Sequence, residues 1–142
     1  MDEITFETAL ASSRTLPNVT DLNRAFWTGG KDGQLLIQRC ESCGLWVNPP
    51  EAAVCASCGG TLSPQPVNGT GTVFSFTINH QPYNPATPVP YVVALVELAE
   101  QENLRVFTNL IDVEPQAVKI GMAVNVRFED HGEVFVPVFA PV

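Results

Sequence analysis

Four cysteines, Cys40, Cys43, Cys55 and Cys58, constrain this chain more than any other feature. They form two Cys-x-x-Cys pairs with eleven residues between them. Each pair puts two thiols on one tight turn, and two facing turns supply four sulfurs to a single tetrahedral site. Zinc takes that geometry, with thiolates at about 2.3 Å. Iron in a rubredoxin-like site uses the same ligands. Gly44 follows the first pair and Gly59-Gly60 the second; glycine lets the chain turn back so that backbone amides face the sulfurs. Four thiolates leave no position open for water, so the expected role is structural rather than catalytic. Disulfides are disfavoured, because the start Met1-Asp2-Glu3-Ile4 carries neither the basic region nor the apolar stretch of a secretory signal. Unpaired thiols point to the cytoplasm.

At 142 residues the chain holds one domain or two small ones. A zinc module of about thirty residues has too little core to stand alone, so the metal is expected to supply folding energy. The longest apolar run, Tyr91 to Val96, is far too short to span a membrane. The net charge is −8. Four thiolates and one dication would take it to −10. The seven basic residues, Arg14, Arg24, Lys31, Arg39, Arg105, Lys119 and Arg127, are scattered. Nucleic-acid affinity rests on clustered Lys and Arg that neutralise phosphates, so that function is disfavoured.

The pattern divides the chain into an N-terminal helical region (1–34), a zinc ribbon (35–66) and an all-β segment (67–142). Ile4, Phe6 and Leu10 share a face of a short helix or belong to a tail. After Pro17-Asn18, Thr20 or Asp21 is expected to cap a helix with Leu22 and Phe26 on one face, ended by Gly29-Gly30. Phe26 and Trp27 place two rings side by side on it; at least one should pack inward, and the other is a candidate partner contact. A strand from Leu35 to Arg39 enters the first cysteine turn, Leu45 to Val47 leaves it, and Pro64 and Pro66 mark the end of the ribbon. Five strands follow. In the first, Phe74, Phe76 and Ile78 alternate with Ser75 and Thr77 as if buried on one side. Tyr91–Leu98 and Leu104–Leu110 come next, joined by a polar turn at 100–103. A helical turn at 115–118 precedes Ala123–Phe128, then a hairpin at Asp130-His131-Gly132, where His131 should be solvated. The last strand is Val134–Phe139, in which Pro137 suggests an edge or a bulge. Five strands with a helical turn between the third and fourth fit a Greek-key OB barrel, with a five-stranded sandwich as the alternative.

The loop from Asn79 to Pro90 has four prolines, which let it hold a shape without regular structure. In such barrels this loop borders the binding face, which makes His80 and Tyr83 candidate contacts. No acid or nucleophile adjacent in sequence accompanies His80, so a catalytic role has weak support. Phosphate-binding loops, nucleophile elbows and His-Glu metal motifs are absent.

One order of motifs is specific. Phe26-Trp27, Gly33, Leu35 and Gln38-Arg39-Cys40 lead to Cys43-Gly44, Pro49-Pro50, Cys55 and Cys58. Gly69, Gly71, the run Tyr91 to Leu98, Thr108-Asn109-Leu110 and Ile120-Gly121-Met122 complete it. Over about residues 20–139 this resembles the zinc-ribbon and OB-fold family classed as domain of unknown function thirty-five. The resemblance implies an N-terminal helical region, a rubredoxin-like ribbon with Cys40, Cys43, Cys55 and Cys58 as ligands of a structural zinc, and a C-terminal OB barrel. It implies an accessory subunit in a hetero-oligomer with a thiolase-fold or hydratase enzyme that handles acyl-CoA, with no catalytic residue of its own. The alternatives are a subunit of an enoyl-CoA hydratase or hydroxymethylglutaryl-CoA synthase complex, a stand-alone acyl-CoA-binding module and, more remotely, a single-stranded nucleic-acid binder. Any contact with the anionic coenzyme would need a local cation such as Lys31, Arg39 or Arg105, or one from the partner. Ala56 departs from the proline that many relatives carry after the third cysteine, which should affect the stiffness of that turn more than its metal binding.

Overall fold

The computed structural model describes residues 5–142; the expectation for Ile4 lies outside them. In chain order the elements are α1 (Phe6–Ser12), α2 (Arg24–Thr28), a 3-10 turn (Gly29–Asp32), β1 (Leu35–Cys40), β2 (Trp46–Val47) and β3 (Leu62–Val67). These are followed by β4 (Thr70–Asn79), β5 (Tyr91–Leu98), β6 (Arg105–Leu110), a second 3-10 turn (Pro115–Ala117), β7 (Ala123–Asp130) and β8 (Phe135–Pro141). The fold is mainly β, with a ribbon of three antiparallel strands in the order β2-β1-β3 and a closed barrel in the order β4-β5-β6-β8-β7. Strands β6 and β8 run parallel and the other barrel pairs antiparallel. This closed five-stranded Greek key is the OB topology, and it excludes the sandwich.

Several local expectations change. Phe74 does not point inward with Phe76 and Ile78. The β4–β5 register slips between Val73 and Ser75, so Phe74 is a bulge residue. One inserted residue reverses the parity of a strand. Val73 therefore takes the buried position, at 1% exposure, while Phe74 is 43% exposed. Pro64 and Pro66 stand within β3, the last strand of the ribbon, opposite Gln38 and Leu36 of β1, and that strand ends at Val67. Proline lacks a ladder donor and is tolerated there because β3 is an edge strand. Pro137 stands in β8 opposite Phe128 of β7, before β8 pairs with β6, so it has a ladder partner on one side only, in keeping with the expected edge position.

The second helix starts later than expected. Thr20 N–H donates to Asn23 Oδ1 at 2.6 Å and Asn23 N–H to Thr20 Oγ1 at 3.3 Å. This exchange fixes a turn, and the helix begins after Asn23. The α-helix ends at Thr28 with Gly29 as its C-cap, as expected, and the chain runs on through the two glycines into the 3-10 turn, which stops at Gly33 in the left-handed conformation (φ 70°). Gly30 is there for close approach: a Cβ would lie 2.5 Å from Phe135 Cβ and 2.6 Å from Phe128 Cδ1. The turn is thereby pressed onto β7 and β8.

One core joins ribbon and barrel. Leu35, Ile37 and Trp46 of the ribbon share a buried cluster with Val73, Val96, Leu98, Val106 and Phe139 of the barrel, and Phe26 packs against it. A second cluster, Val134, Val136 and Val138, receives Trp27. Among the described residues no helix is long and apolar enough to cross a membrane.

Candidate metal centre and partner surface

The two cysteine turns are built alike. Cys40 N–H donates to Leu45 O and Cys55 N–H to Gly60 O, both at 2.8 Å. Gly44 N–H returns to Cys40 O at 3.0 Å and Gly59 N–H to Cys55 O at 2.8 Å. Both closing residues are left-handed, Gly44 at φ 77° and Gly59 at φ 79°, a conformation that costs an L side chain about 1 kcal/mol or more. Each turn thus carries one buried thiol, Cys40 or Cys55, and one exposed thiol, Cys43 or Cys58.

The turns face each other. All four sulfurs lie within 4.8 Å of one another; Cys40 and Cys58 are 3.4 Å apart and Cys43 and Cys55 3.8 Å. A tetrahedron with bonds of about 2.3 Å has edges of about 3.8 Å, so these residues fit one four-coordinate metal ion. The protonation pattern supports this. Cys43 N–H donates to Cys40 Sγ at 3.4 Å. That amide is the main cause that draws the Cys40 thiol down from 9.0 to about 6, with burial opposing it. At Cys58 the Gly60 amide pulls downward, but the Cys40 and Cys43 thiols and burial outweigh it and push the group up to about 12.

The remaining candidates separate. Arg39 serves the metal turn: its Nε donates to Gly44 O at 3.0 Å and its guanidinium stacks 4.7 Å from the centre of the Trp46 ring. Arg105 lies 3.6 Å above the Phe74 ring, 3.7 Å from Glu97 Oε1, and donates to Asn103 Oδ1 at 3.0 Å. Lys31 is exposed on the first 3-10 turn. His80 and Tyr83 are exposed on the proline loop, Tyr83 at 92%. That loop is pinned to the end of α1, with Asn84 Nδ2 donating to Ser13 O at 3.3 Å and Thr87 Oγ1 to Ser13 Oγ at 3.1 Å. Phe26 and Trp27 stay together, edge to face with centroids 4.8 Å apart. With Phe107 and Val136 they line a cleft of about 230 Å³.

Sequence reasoning missed the polar cluster beside that cleft. Arg14 grips Glu129 with Nε at 2.7 Å and Nη2 at 2.9 Å, and its Nη1 donates to Asn109 Oδ1 at 2.8 Å. His131 is not solvated: its side chain is 15% exposed, and Nε2 meets Glu129 Oε1 at 3.1 Å. Arg14 and Glu129 are 115 residues apart, and no local pattern announces the pair.

A rubredoxin-like ribbon fused through one core to an OB barrel, with four convergent cysteines, defines a structural class. The chain belongs to the ChsH2/DUF35 family within it. Residues 27–63 match the family's "ChsH2, rubredoxin-like zinc ribbon domain" and residues 64–129 its "ChsH2, C-terminal OB-fold domain". A "DUF35 domain-containing scaffold protein" of Methanocaldococcus jannaschii is 31% identical, over 72% of this chain and 73% of that one. A "Probable enoyl-CoA hydratase alpha subunit" of Thermomonospora curvata is 40% identical over 84% of this chain, which spans only 37% of that subunit's length. Among solved structures, a chain of an "Ltp2-ChsH2(DUF35) aldolase" superposes with a TM-score of 0.77 and 39% identity, covering 89% of this chain and 98% of that one.

Proposed function

We propose that this chain is a non-catalytic accessory subunit of an acyl-CoA-processing enzyme, working in a hetero-oligomer with a thiolase-fold lipid-transfer or aldolase subunit. The observation that carries this reading is the match to the aldolase-complex chain across nearly its whole length. The side chains agree with a supporting role. Arg39 buttresses the metal turn, and Glu129 and His131 are committed to anchoring Arg14. The metal is zinc, held by Cys40, Cys43, Cys55 and Cys58, and it stabilises the ribbon by cross-linking two turns with little core between them. Reduced thiols serving as metal ligands support a cytoplasmic location.

A second reading, a subunit of an enoyl-CoA hydratase, is favoured by the hydratase relative. One experiment separates the two. The tagged chain is purified from its native cell, its partner is identified, and zinc is measured on the same sample. The complex is then assayed for carbon–carbon cleavage and for hydration of CoA esters. A stoichiometric thiolase-fold partner supports the first reading and a hydratase-fold partner the second. Turnover of CoA esters by the isolated chain would overturn both.

A further inference from the structure

The two cysteine turns share a backbone design but not their surroundings. In each, a left-handed glycine returns its N–H to the carbonyl of the first cysteine, Gly44 to Cys40 and Gly59 to Cys55. The first turn has a further tie. Arg39, the residue before Cys40, reaches across the turn and donates from Nε to the carbonyl of Gly44, the residue after Cys43, at 3.0 Å. Its guanidinium lies against that glycine, with Nη2 3.5 Å from where a Gly44 Cβ would stand. One side chain thus joins the entry of the turn to its exit. The corresponding residue before Cys55 is Val54, which is 56% exposed and whose side chain has nothing to donate.

The clamp stands on a fixed platform. Arg39 and Trp46 are opposed residues of the β1–β2 pair, and the guanidinium sits 4.7 Å from the centre of the Trp46 ring, within the range of cation–π attraction. Trp46 belongs to the core shared with the barrel. The second turn is entered through an isolated bridge between Val54 and Thr61, outside any strand. Charge points the same way. Four thiolates overcompensate a dication, so a loaded site is anionic. Residues 35–66 carry two acids, Glu41 and Glu51, and Arg39 as their one cation. A guanidinium held beside the first turn offsets part of that excess.

We infer that Arg39 is a positioning residue for the metal: it holds the Cys40–Cys43 turn in its liganding shape and offsets the charge of the loaded site. That turn is then the firm half of the site, and the Cys55–Cys58 turn is the half that opens first. The inference rests on the zinc-site reading. Groups that orient metal ligands without touching the metal are worth about ten- to a hundredfold in affinity.

The test uses the full chain loaded with zinc. Arg39→Met keeps an apolar stem over Trp46 but removes the donor and the charge; Arg39→Lys keeps the charge and loses the planar fork. Zinc affinity is measured by competition with a chromophoric chelator at low and high salt. Hydrogen exchange of the equivalent Gly44 and Gly59 amides is followed by NMR. Arg39→Met is expected to bind zinc about ten- to a hundredfold more weakly, with the gap to wild type narrowing as salt rises, and Arg39→Lys to fall between the two. In the wild type Gly44 should exchange more slowly than Gly59, and Arg39→Met should accelerate Gly44 alone. Wild-type affinity in Arg39→Met, or Gly59 exchanging no faster than Gly44 in the wild type, overturns the inference and leaves the zinc site standing. Equal acceleration at Gly44, at Gly59 and along β5 also overturns it, because Arg39 then supports the fold as a whole. Should Arg39→Met fail to fold, Arg39→Lys and the wild-type exchange comparison decide. A wild-type chain that binds no zinc removes the zinc reading and the inference together.

Discussion

Gln101 brackets the backbone of Trp46: its Oε1 accepts Trp46 N–H at 3.0 Å and its Nε2 donates to Trp46 C=O at 3.0 Å. A single side chain on the β5–β6 turn thus acts as an extra strand residue for the edge of the ribbon. Asn48 Nδ2, donating to Arg105 O, adds a second tie two residues on. Trp46 is 9% exposed and belongs to the shared core. Gln101→Ala is therefore expected to leave both Trp46 backbone groups without partners. The cost is about 1–3 kcal/mol, the range for unsatisfied, largely buried polar groups. Denaturant unfolding followed by tryptophan fluorescence measures it. An unchanged midpoint would show that the apolar core alone holds ribbon to barrel.

The metal site makes a sharper demand. Outside the sulfurs, the ribbon's own buried cluster is little more than Leu62 with Val47 packed beside it, so a metal held by the four cysteines would replace much of the missing core. Cys40→Ser removes a buried thiol, 2% exposed and drawn down to about 6. The purified variant is expected to hold well under one zinc per chain and to melt at least several degrees lower, with the loss of order concentrated between β1 and β3. Elemental analysis and hydrogen exchange report the two effects separately. Full zinc content with wild-type melting would contradict a structural metal.

Zinc affinity should rise with pH. The metal binds thiolates, so every proton still on a ligand must leave on binding. Near pH 7 Cys40, drawn down to about 6, is already largely ionised, whereas Cys58, pushed up to about 12, is protonated. Uptake at pH 7 therefore expels at least the Cys58 proton, and affinity should fall about tenfold or more per pH unit as acid is added. Below pH 6 the fall steepens, because Cys40 then takes up a proton as well. Competition with a chromophoric chelator between pH 5.5 and 7.5 tests this. A flat profile would mean that the sulfurs are not the ligands.

What could be read in advance depends on distance along the chain. The two cysteine turns repeat a local spacing, each closed by its own glycine, Gly44 or Gly59, so they were legible. Tyr91–Leu98 was legible for a similar reason: a run of apolar β-formers between turns has few alternatives. Phe74 was misplaced because a bulge is created by pairing with another strand, and β4 alone carries no mark of the slip at Val73/Ser75. Pro64 and Pro66 mark the close of the ribbon, but that they sit inside its last strand is not legible locally, because their tolerance there depends on β3 lying at an edge, a property of the sheet and not of the segment. His131 looked solvated because its partner, Glu129, is itself held by Arg14 from the far end of the chain.

That long-range pair also gives the strongest prediction for the N-terminal segment. Arg14 and Glu129 side chains are only 20% and 11% exposed, and the guanidinium meets the carboxylate through two nitrogens. Replacing Arg14 with Met strands an enclosed carboxylate and frees Asn109 Oδ1. Replacing both Arg14 and Glu129 with Met removes the demand for a partner at that point. Enclosed ion pairs cost more to break than to replace. The single variant is accordingly expected to lose roughly 2–3 kcal/mol and the double variant clearly less. The loss should be accompanied by faster exchange in α1, which the proline loop also contacts through Ser13. Thermal melting of the two variants against wild type decides the matter. A double variant less stable than the single would mean that Glu129 stabilises the barrel through His131 independently of Arg14.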